Sequence, residues 1–264
     1  MELFGGITPL SSVMYIVIGF AVAVFGTLIG AGGGIIFVPL FLWMFDWPPQ
    51  AVIGTSLAIV FFNALSGSFA YNKQKKIKFD AALPFAAATI PGAVLGAFWS
   101  NWFSGGTFRT AFGVLLLFIS AVIIWKNARK SGKAAEDPSI DPKDVTVNMP
   151  LGLFISFVIG FISSIFGIGG GVVHVPAMVG FLGFPPHIAT ATSHFVLAIS
   201  SLIGVATHQW EQHILWNYAL FFGIGAIFGA QAGAKISKKV KGRSILFMLA
   251  GALILLALRL IFLS

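Results

Sequence analysis

Ten consecutive residues of this chain, Gly30-Ala-Gly-Gly-Gly-Ile-Ile-Phe-Val-Pro39, return 137 positions later as Gly167-Ile-Gly-Gly-Gly-Val-Val-His-Val-Pro176. The same offset aligns Trp47-Pro48-Pro49 with Phe184-Pro185-Pro186 and Thr55-Ser56 with Thr192-Ser193. It also aligns Ile90-Pro-Gly-Ala-Val-Leu-Gly-Ala97 with Ile227-Phe-Gly-Ala-Gln-Ala-Gly-Ala234. One offset held without a gap over about seventy residues marks an internal duplication. Any fold must therefore accommodate two copies of one unit, each with a glycine cluster inside apolar sequence.

The surrounding sequence fixes the solvent of that fold. Hydrophobic residues make up 58% of the chain and charged residues only 9%, far from a soluble domain. Apolar runs of about 20 residues, long enough to span a bilayer, recur along its length. They are continuous rather than alternating, which argues for helices against a transmembrane barrel. Twenty-eight Phe and seven Trp suit lipid-facing surfaces and interfacial belts. Cysteine is absent, which removes thiol chemistry. The start of the chain has Glu2 and no basic segment, so residues 11–29 read as a retained span rather than a cleaved signal.

Spans are expected near 10–29, 34–46, 50–71, 79–100, 108–126, 150–167, 171–183, 187–207, 214–234 and 244–263. The second and seventh, about a dozen residues each, are too short to cross unaided. They read as discontinuous helices with a glycine turn inside the membrane, so a plain hydropathy count is expected to report eight spans.

The net charge of +8 sits in short loops, the positive-inside pattern rather than a nucleic-acid surface. Lys73, Lys75, Lys76 and Lys78 occupy loop 72–78. Lys126, Arg129, Lys130, Lys133 and Lys143 occupy loop 126–149, and Lys235, Lys238, Lys239, Lys241 and Arg243 occupy loop 235–243. Loops 46–49, 101–107 and 208–213 carry no Lys or Arg. Ten spans with both termini outside place all three basic loops in the cytoplasm.

Five spans per copy is an odd number, so the second copy enters the membrane inverted, the architecture common in secondary transporters. The expected organisation is an all-α integral membrane protein of about ten transmembrane helices in two inverted five-helix repeats. Residues 1–126 form the first repeat, 127–149 a polar cytoplasmic linker with Pro138 and Pro142, and 150–264 the second repeat.

Paired, glycine-interrupted spans point to a transport site. Gly32, Gly33 and Gly34, with Gly169, Gly170 and Gly171, let backbone N–H groups form anion nests at helix starts. The competing reading is close helix packing by small residues. Gly30, Pro39, Gly167 and Pro176 are candidate hinges, the prolines because each removes a backbone donor within a short helix.

The hydroxyls of Thr55, Ser56, Thr192 and Ser193 and the amide of Asn63 can donate to an oxyanion; otherwise they join helices by hydrogen bonds. His174 and His194 replace Phe37 and Leu57, and an ionisable residue inside a span is a functional candidate. Either is otherwise a neutral, hydrogen-bonded core histidine. His187, His208 and His213 read as interfacial.

Asp46, Asp80 and Glu211 lie at span edges, none at a centre, which favours an anionic over a cationic substrate. Arg259, deep in the last span, is expected to snorkel to the outer surface. No metal site is expected, because the two histidines lack carboxylate or thiolate partners. No cofactor is expected either. Gly-x-Gly-Gly-Gly is not followed by the Lys-Ser/Thr of a P-loop and lacks the strand context of a dinucleotide site.

At these residues the chain resembles the sulfite exporter TauE/SafE family. The resemblance is carried by Gly30-Ala-Gly-Gly-Gly-x-x-x-Val-Pro39, Pro49-x-x-x-x-Gly-Thr-Ser56 and Pro91-Gly-x-x-x-Gly96, with weaker echoes in the second half. It implies a multi-pass carrier of the bacterial or archaeal plasma membrane that exports sulfite, sulfoacetate or related sulfur-containing anions. It also makes the two glycine motifs and the Thr-Ser pairs the expected central site. Ala191 in place of Gly54 and Phe228 in place of Pro91 set the second copy apart.

The expected function is thus secondary transport of a small anion by alternating access, in contact with lipid and without nucleic acid. An anion channel of the same architecture, a cation or metal transporter and an intramembrane enzyme are the alternatives. The last would need an acid to orient a Ser-His pair, and none is evident. The sequence leaves a homo-oligomer open.

Overall fold

The structure, a computed structural model, describes residues 8–102, 105–129 and 141–262. These form ten α-helices. They are α1 (Pro9–Leu28), α2 (Gly34–Met44), α3 (Pro49–Lys73), α4 (Phe79–Trp99), α5 (Gly105–Arg129), α6 (Met149–Phe166), α7 (Gly171–Phe181), α8 (Pro186–Trp210), α9 (Trp216–Ser237) and α10 (Gly242–Phe262). Short 3-10 turns occupy Ser100–Trp102 and Pro142–Asp144. No strand occurs among the described residues. Part of the expected linker, 130–140 with Lys130, Lys133 and Pro138, lies outside them, as do Glu2 and the ends of the chain.

Among the described residues seven helices are long and apolar enough to cross a membrane: α1, α3, α4, α5, α6, α8 and α9. The apolar helices α2 and α7 are shorter, as is the described stretch Ser244–Arg259 of α10. The expected eighth span is α10, which enters that count only through Ser244–Arg259. Helices α3 and α8 each outrun the expected span, and their extra turns carry Lys73 and His208.

Local chemistry sets the ends. Thr8 and Ser11 form a capping box ahead of Pro9, and the Asn148 side chain accepts from Leu151 N–H at the start of α6. Pro49 and Pro186 open α3 and α8, where a missing N–H costs nothing. The candidate hinges Pro39 and Pro176 do not interrupt their helices: α2 and α7 run through both prolines. The chain breaks instead just upstream, at two turns with positive φ. Gly30, Gly32 and Gly33 have φ of 76°, 69° and 82°, and Gly167, Gly169 and Gly170 have 68°, 72° and 75°. A side chain at any of them would be strained.

Helices α1 and α9 pack together, as do α4 and α6; α3 lies on both α8 and α9, α4 on α8, and α5 on α10. The close contacts recur at the sequence offset. A Cβ at Gly92 or Gly96 would collide with the carbonyls of Phe157 or Phe161. At Gly229 or Gly233 it would collide with those of Phe20 or Val24. Glycine here lets helix backbones touch, the packing reading of these residues. An aromatic cluster of buried Tyr15, Phe41 and Phe222 with half-buried Phe45, Trp47 and Tyr218 ties α1, α2 with the loop after it, and α9 together.

Candidate functional site

The two glycine turns meet at the centre of the bundle. A Cβ on Gly34 would lie 2.8 Å from the carbonyl oxygen of Ile168, and one on Gly171 would collide with that of Gly30. Val60 of α3 and Leu197 of α8, themselves related by the offset, pack over Gly32 and Gly169. The paired turns therefore contact each other through backbone beneath an apolar lid.

The hydroxyls around the turns divide by role. Thr55 Oγ1 accepts from the backbone N–H of Leu215, and Thr192 Oγ1 from that of Lys78. Each threonine thereby reaches from the opposite half to a residue at the start of α9 or α4. Ser56 Oγ donates to the carbonyl of Gly167 at 3.0 Å and holds the second turn. Ser193, its counterpart, is fully buried and its hydroxyl has no partner.

One polar cluster lies to one side of this centre. Asn63 Oδ1 accepts from Thr27 Oγ1 at 2.9 Å and stands 3.0 Å from His194 Nε2. Asn63 Nδ2 donates to the carbonyl of Ala23. Tyr71 donates its hydroxyl to the carbonyl of Thr27 at 2.8 Å and presents its ring edge-on to His194, centroids 5.6 Å apart. Gly67 makes room for that imidazole, since a Cβ there would approach its Cδ2 to 2.5 Å. The fold brings Asn63 and His194 together, and adds Thr27, Tyr71 and Gly67, which were not singled out from sequence. Thr27 stands one turn before the first glycine cluster and has Ser164 as its counterpart, a signal the repeat contained.

Three buried side-chain atoms among the described residues stand without a partner close together: Thr190 Oγ1, Ser193 Oγ and His194 Nδ1. All are on α8. Thr190, Ser193 and His194 are spaced i, i+3, i+4 and share a face, and Thr190 lies against Gly30 of the first turn. An unpartnered buried polar group costs about 1–3 kcal/mol, so three on one face call for an explanation.

His174 is placed elsewhere. It is buried, its Nε2 is 3.0 Å from Ser156 Oγ, and its ring stacks on Phe85. Ser156 already donates to the carbonyl of Gly152, so the imidazole N–H donates to the serine, and the ring sits among α4, α6 and α7. His208, expected at an interface, is fully buried, with Nδ1 3.3 Å from His213 Nδ1. Arg259 is exposed, its guanidinium 4.5 Å over the Trp43 ring.

No Asp or Glu is buried among the described residues, and no three His, Cys, Asp or Glu side chains come together in them. Lys78 is the buried cation. It pairs with the exposed Asp80 and donates to the Pro142 carbonyl, pinning the loop before α4 to the 142–144 turn.

An all-helical, multi-pass bundle with paired glycine turns at its core defines a membrane transporter class. Residues 15–260 match the family described as Sulfite exporter TauE/SafE. The chain belongs to this family and is a transmembrane transporter. It is similar to the probable membrane transporter protein YunE of Bacillus subtilis strain 168, 36% identical over 96% of this chain and 98% of that one. It is also similar to the probable membrane transporter protein MJ0441 of Methanocaldococcus jannaschii, 27% identical over 91% of each. The probable membrane transporter protein ORF9 of Sinorhizobium sp. is 27% identical over 88% of this chain and 86% of its own length. No solved structure matches.

Proposed function

We propose that this protein is a secondary transporter that carries a small sulfur-containing anion, such as sulfite, sulfoacetate or a related organosulfonate, outward across the plasma membrane by alternating access. The observation that carries this reading is the unpartnered face of α8. Thr190 beside Gly30 and Ser193 offer hydroxyl donors, and His194 offers an imidazole held by Asn63, with no buried carboxylate among the described residues. Donors without a counter-charge suit an anion that must bind and leave.

The ten helices act as two inverted repeats, 1–126 and 150–264, joined by 127–149. Support comes from the contacts that recur at the 137-residue offset, glycine turns included. The binding region lies off the centre of that pairing, because Asn63, His194 and Thr27 correspond to Ser200, Leu57 and Ser164. The two halves thus differ where ligand chemistry is concentrated and agree where backbones pack. The glycine turns act as hinges between the two access states, with Gly30 and Gly167 at their starts.

With basic loops in the cytoplasm and both termini outside, the inside-negative potential drives an anion outward by about 2.3 kcal/mol per charge per 100 mV. The test is thermal stabilisation of the purified protein by sulfite and sulfonates, with chloride and divalent cations as controls. Ligands that bind only the native state raise its Tm. Response to a divalent cation and to no anion would overturn the substrate class.

A further inference from the structure

A cavity of about 300 Å³ is lined by Tyr71, Gln74, Lys76, His187, Ser237 and Lys238. Its volume is at the lower end of the ~300–1,000 Å³ typical of small-molecule sites. Lys76 from the loop after α3 and Lys238 from the end of α9 bring two ammonium groups from separate elements. His187 is the second residue of α8, whose start has no side-chain cap, so its backbone N–H groups and positive dipole end lie beside the cavity. No carboxylate is among the described residues that line it.

The charge belongs to one end of the molecule, not to the fold. The residues at the same offset are His208, Glu211, His213, Gln50, Ser100 and Asn101, with no Lys or Arg and one carboxylate. The inner wall of the cavity is Tyr71. Its hydroxyl is held by the Thr27 carbonyl and meets the Ser237 side chain, and its ring abuts His194. Tyr71 thus stands between the cavity and the cluster of Thr27, Asn63 and His194.

We infer that this cavity is a second anion site, separated by Tyr71 from the buried cluster, which takes a soluble anion bearing two acidic groups. Two ammonium groups on different elements, beside the start of α8, can each pair with one acidic group. A second acidic group adds a second charge-assisted pair and so tightens binding. The inference rests on the reading of the chain as an anion carrier, and makes the basic end its loading end. An anionic lipid headgroup shares this chemistry, and the test separates the two sources.

Binding of sulfoacetate, with two charges, and methanesulfonate, with one, is measured by calorimetry on the full chain in phosphatidylcholine nanodiscs. Three forms are compared: wild type, Lys76→Gln/Lys238→Gln, and Lys239→Gln/Lys241→Gln as a control for general surface charge. Wild type binds sulfoacetate more tightly than methanesulfonate. The cavity variant weakens sulfoacetate by about tenfold or more and methanesulfonate by less than about twofold. The control leaves both unchanged, and Lys76→Arg/Lys238→Arg retains sulfoacetate binding.

Equal losses for the two anions, or the same loss in the control, would overturn the cavity site. So would loss of sulfoacetate binding in phosphatidylglycerol nanodiscs, which would assign the cavity to lipid headgroups. Wild type that binds neither anion would overturn the carrier reading itself. Wild type that binds while the cavity variant is unaltered would overturn the second site alone.

Discussion

Asn63 and His194 are 131 residues apart in the chain and 3.0 Å apart in the fold, where they join α3 to α8. Asn63 Oδ1 also accepts from Thr27, so the network assigns the imidazole proton to Nε2. Nδ1 is then a buried acceptor without a donor. It can take a proton, or the hydroxyl of a protonated oxyanion; once protonated it donates to an anion and offsets its charge.

Removing either partner therefore weakens anion binding. Asn63→Ala and His194→Ala are each expected to raise the Kd for the preferred anion by about tenfold or more, the scale of one hydrogen bond to a charged group. Both variants still insert. The double variant loses less than the sum of the two, because the residues act as one unit. Calorimetric titration of the four proteins tests this; strict additivity would separate the pair.

Gly67 gives a test that leaves both of those side chains in place. A Cβ at this position would stand 2.5 Å from His194 Cδ2 and 2.6 Å from Nε2, the edge at which Asn63 holds the ring. At the counterpart Gly204 it would stand 3.1 Å from a Leu57 methyl, which can turn away. Gly67→Ala is expected to weaken anion binding about as much as His194→Ala does. Gly204→Ala is expected to leave it within about twofold, since small overpacking against a flexible side chain is absorbed. Equal effects at the two positions would contradict the off-centre placement of the site.

The threonines separate support from recognition. Thr55 and Thr192 accept backbone N–H groups at the starts of α9 and α4, the work of a helix cap. Thr55→Val and Thr192→Val are expected to destabilise the protein by about 1 kcal/mol each and to leave anion affinity unchanged. Ser193→Ala, at a hydroxyl with no partner, is expected to do the reverse. Tm and Kd measured on the same preparations distinguish the two classes.

Much of this fold was legible because the duplication and the apolar period are both written in local sequence. Each expected span overlaps an observed helix, and both glycine turns are where the clusters put them. The prolines misled: Pro39 and Pro176 sit inside helices held by surrounding packing, so the lost hydrogen bond does not break them. The site was only half legible. Asn63 and His194 stood out as polar residues in apolar runs, but Thr27 and Tyr71 join them through contacts that sequence separation conceals. His174 stood out for the same reason as His194, yet pairs with Ser156, a partner that no spacing announces.

The far end of the molecule carries a different kind of sensitivity. His213 lies between α8 and α9, and its Nδ1 faces that of His208 at 3.3 Å, so one ring must donate and the other accept. Burial holds the His213 imidazole below its ordinary value, and the Glu211 carboxylate opposes that shift. The depressed value in the fold means that protonation favours the unfolded chain. The stabilisation is complete above the unfolded value of about 6.5 and is lost as pH falls through the folded one. Tm is therefore expected to decline from pH 7.5 to pH 5, and His213→Asn is expected to flatten that decline. Asp46 stands four residues before Gln50 on the same side, and His187 at the other end is also held below its ordinary value by burial and by Lys76, so the share of the pair is read from the difference between wild type and His213→Asn. A His213→Asn profile parallel to wild type would show that acid destabilisation arises elsewhere in the chain.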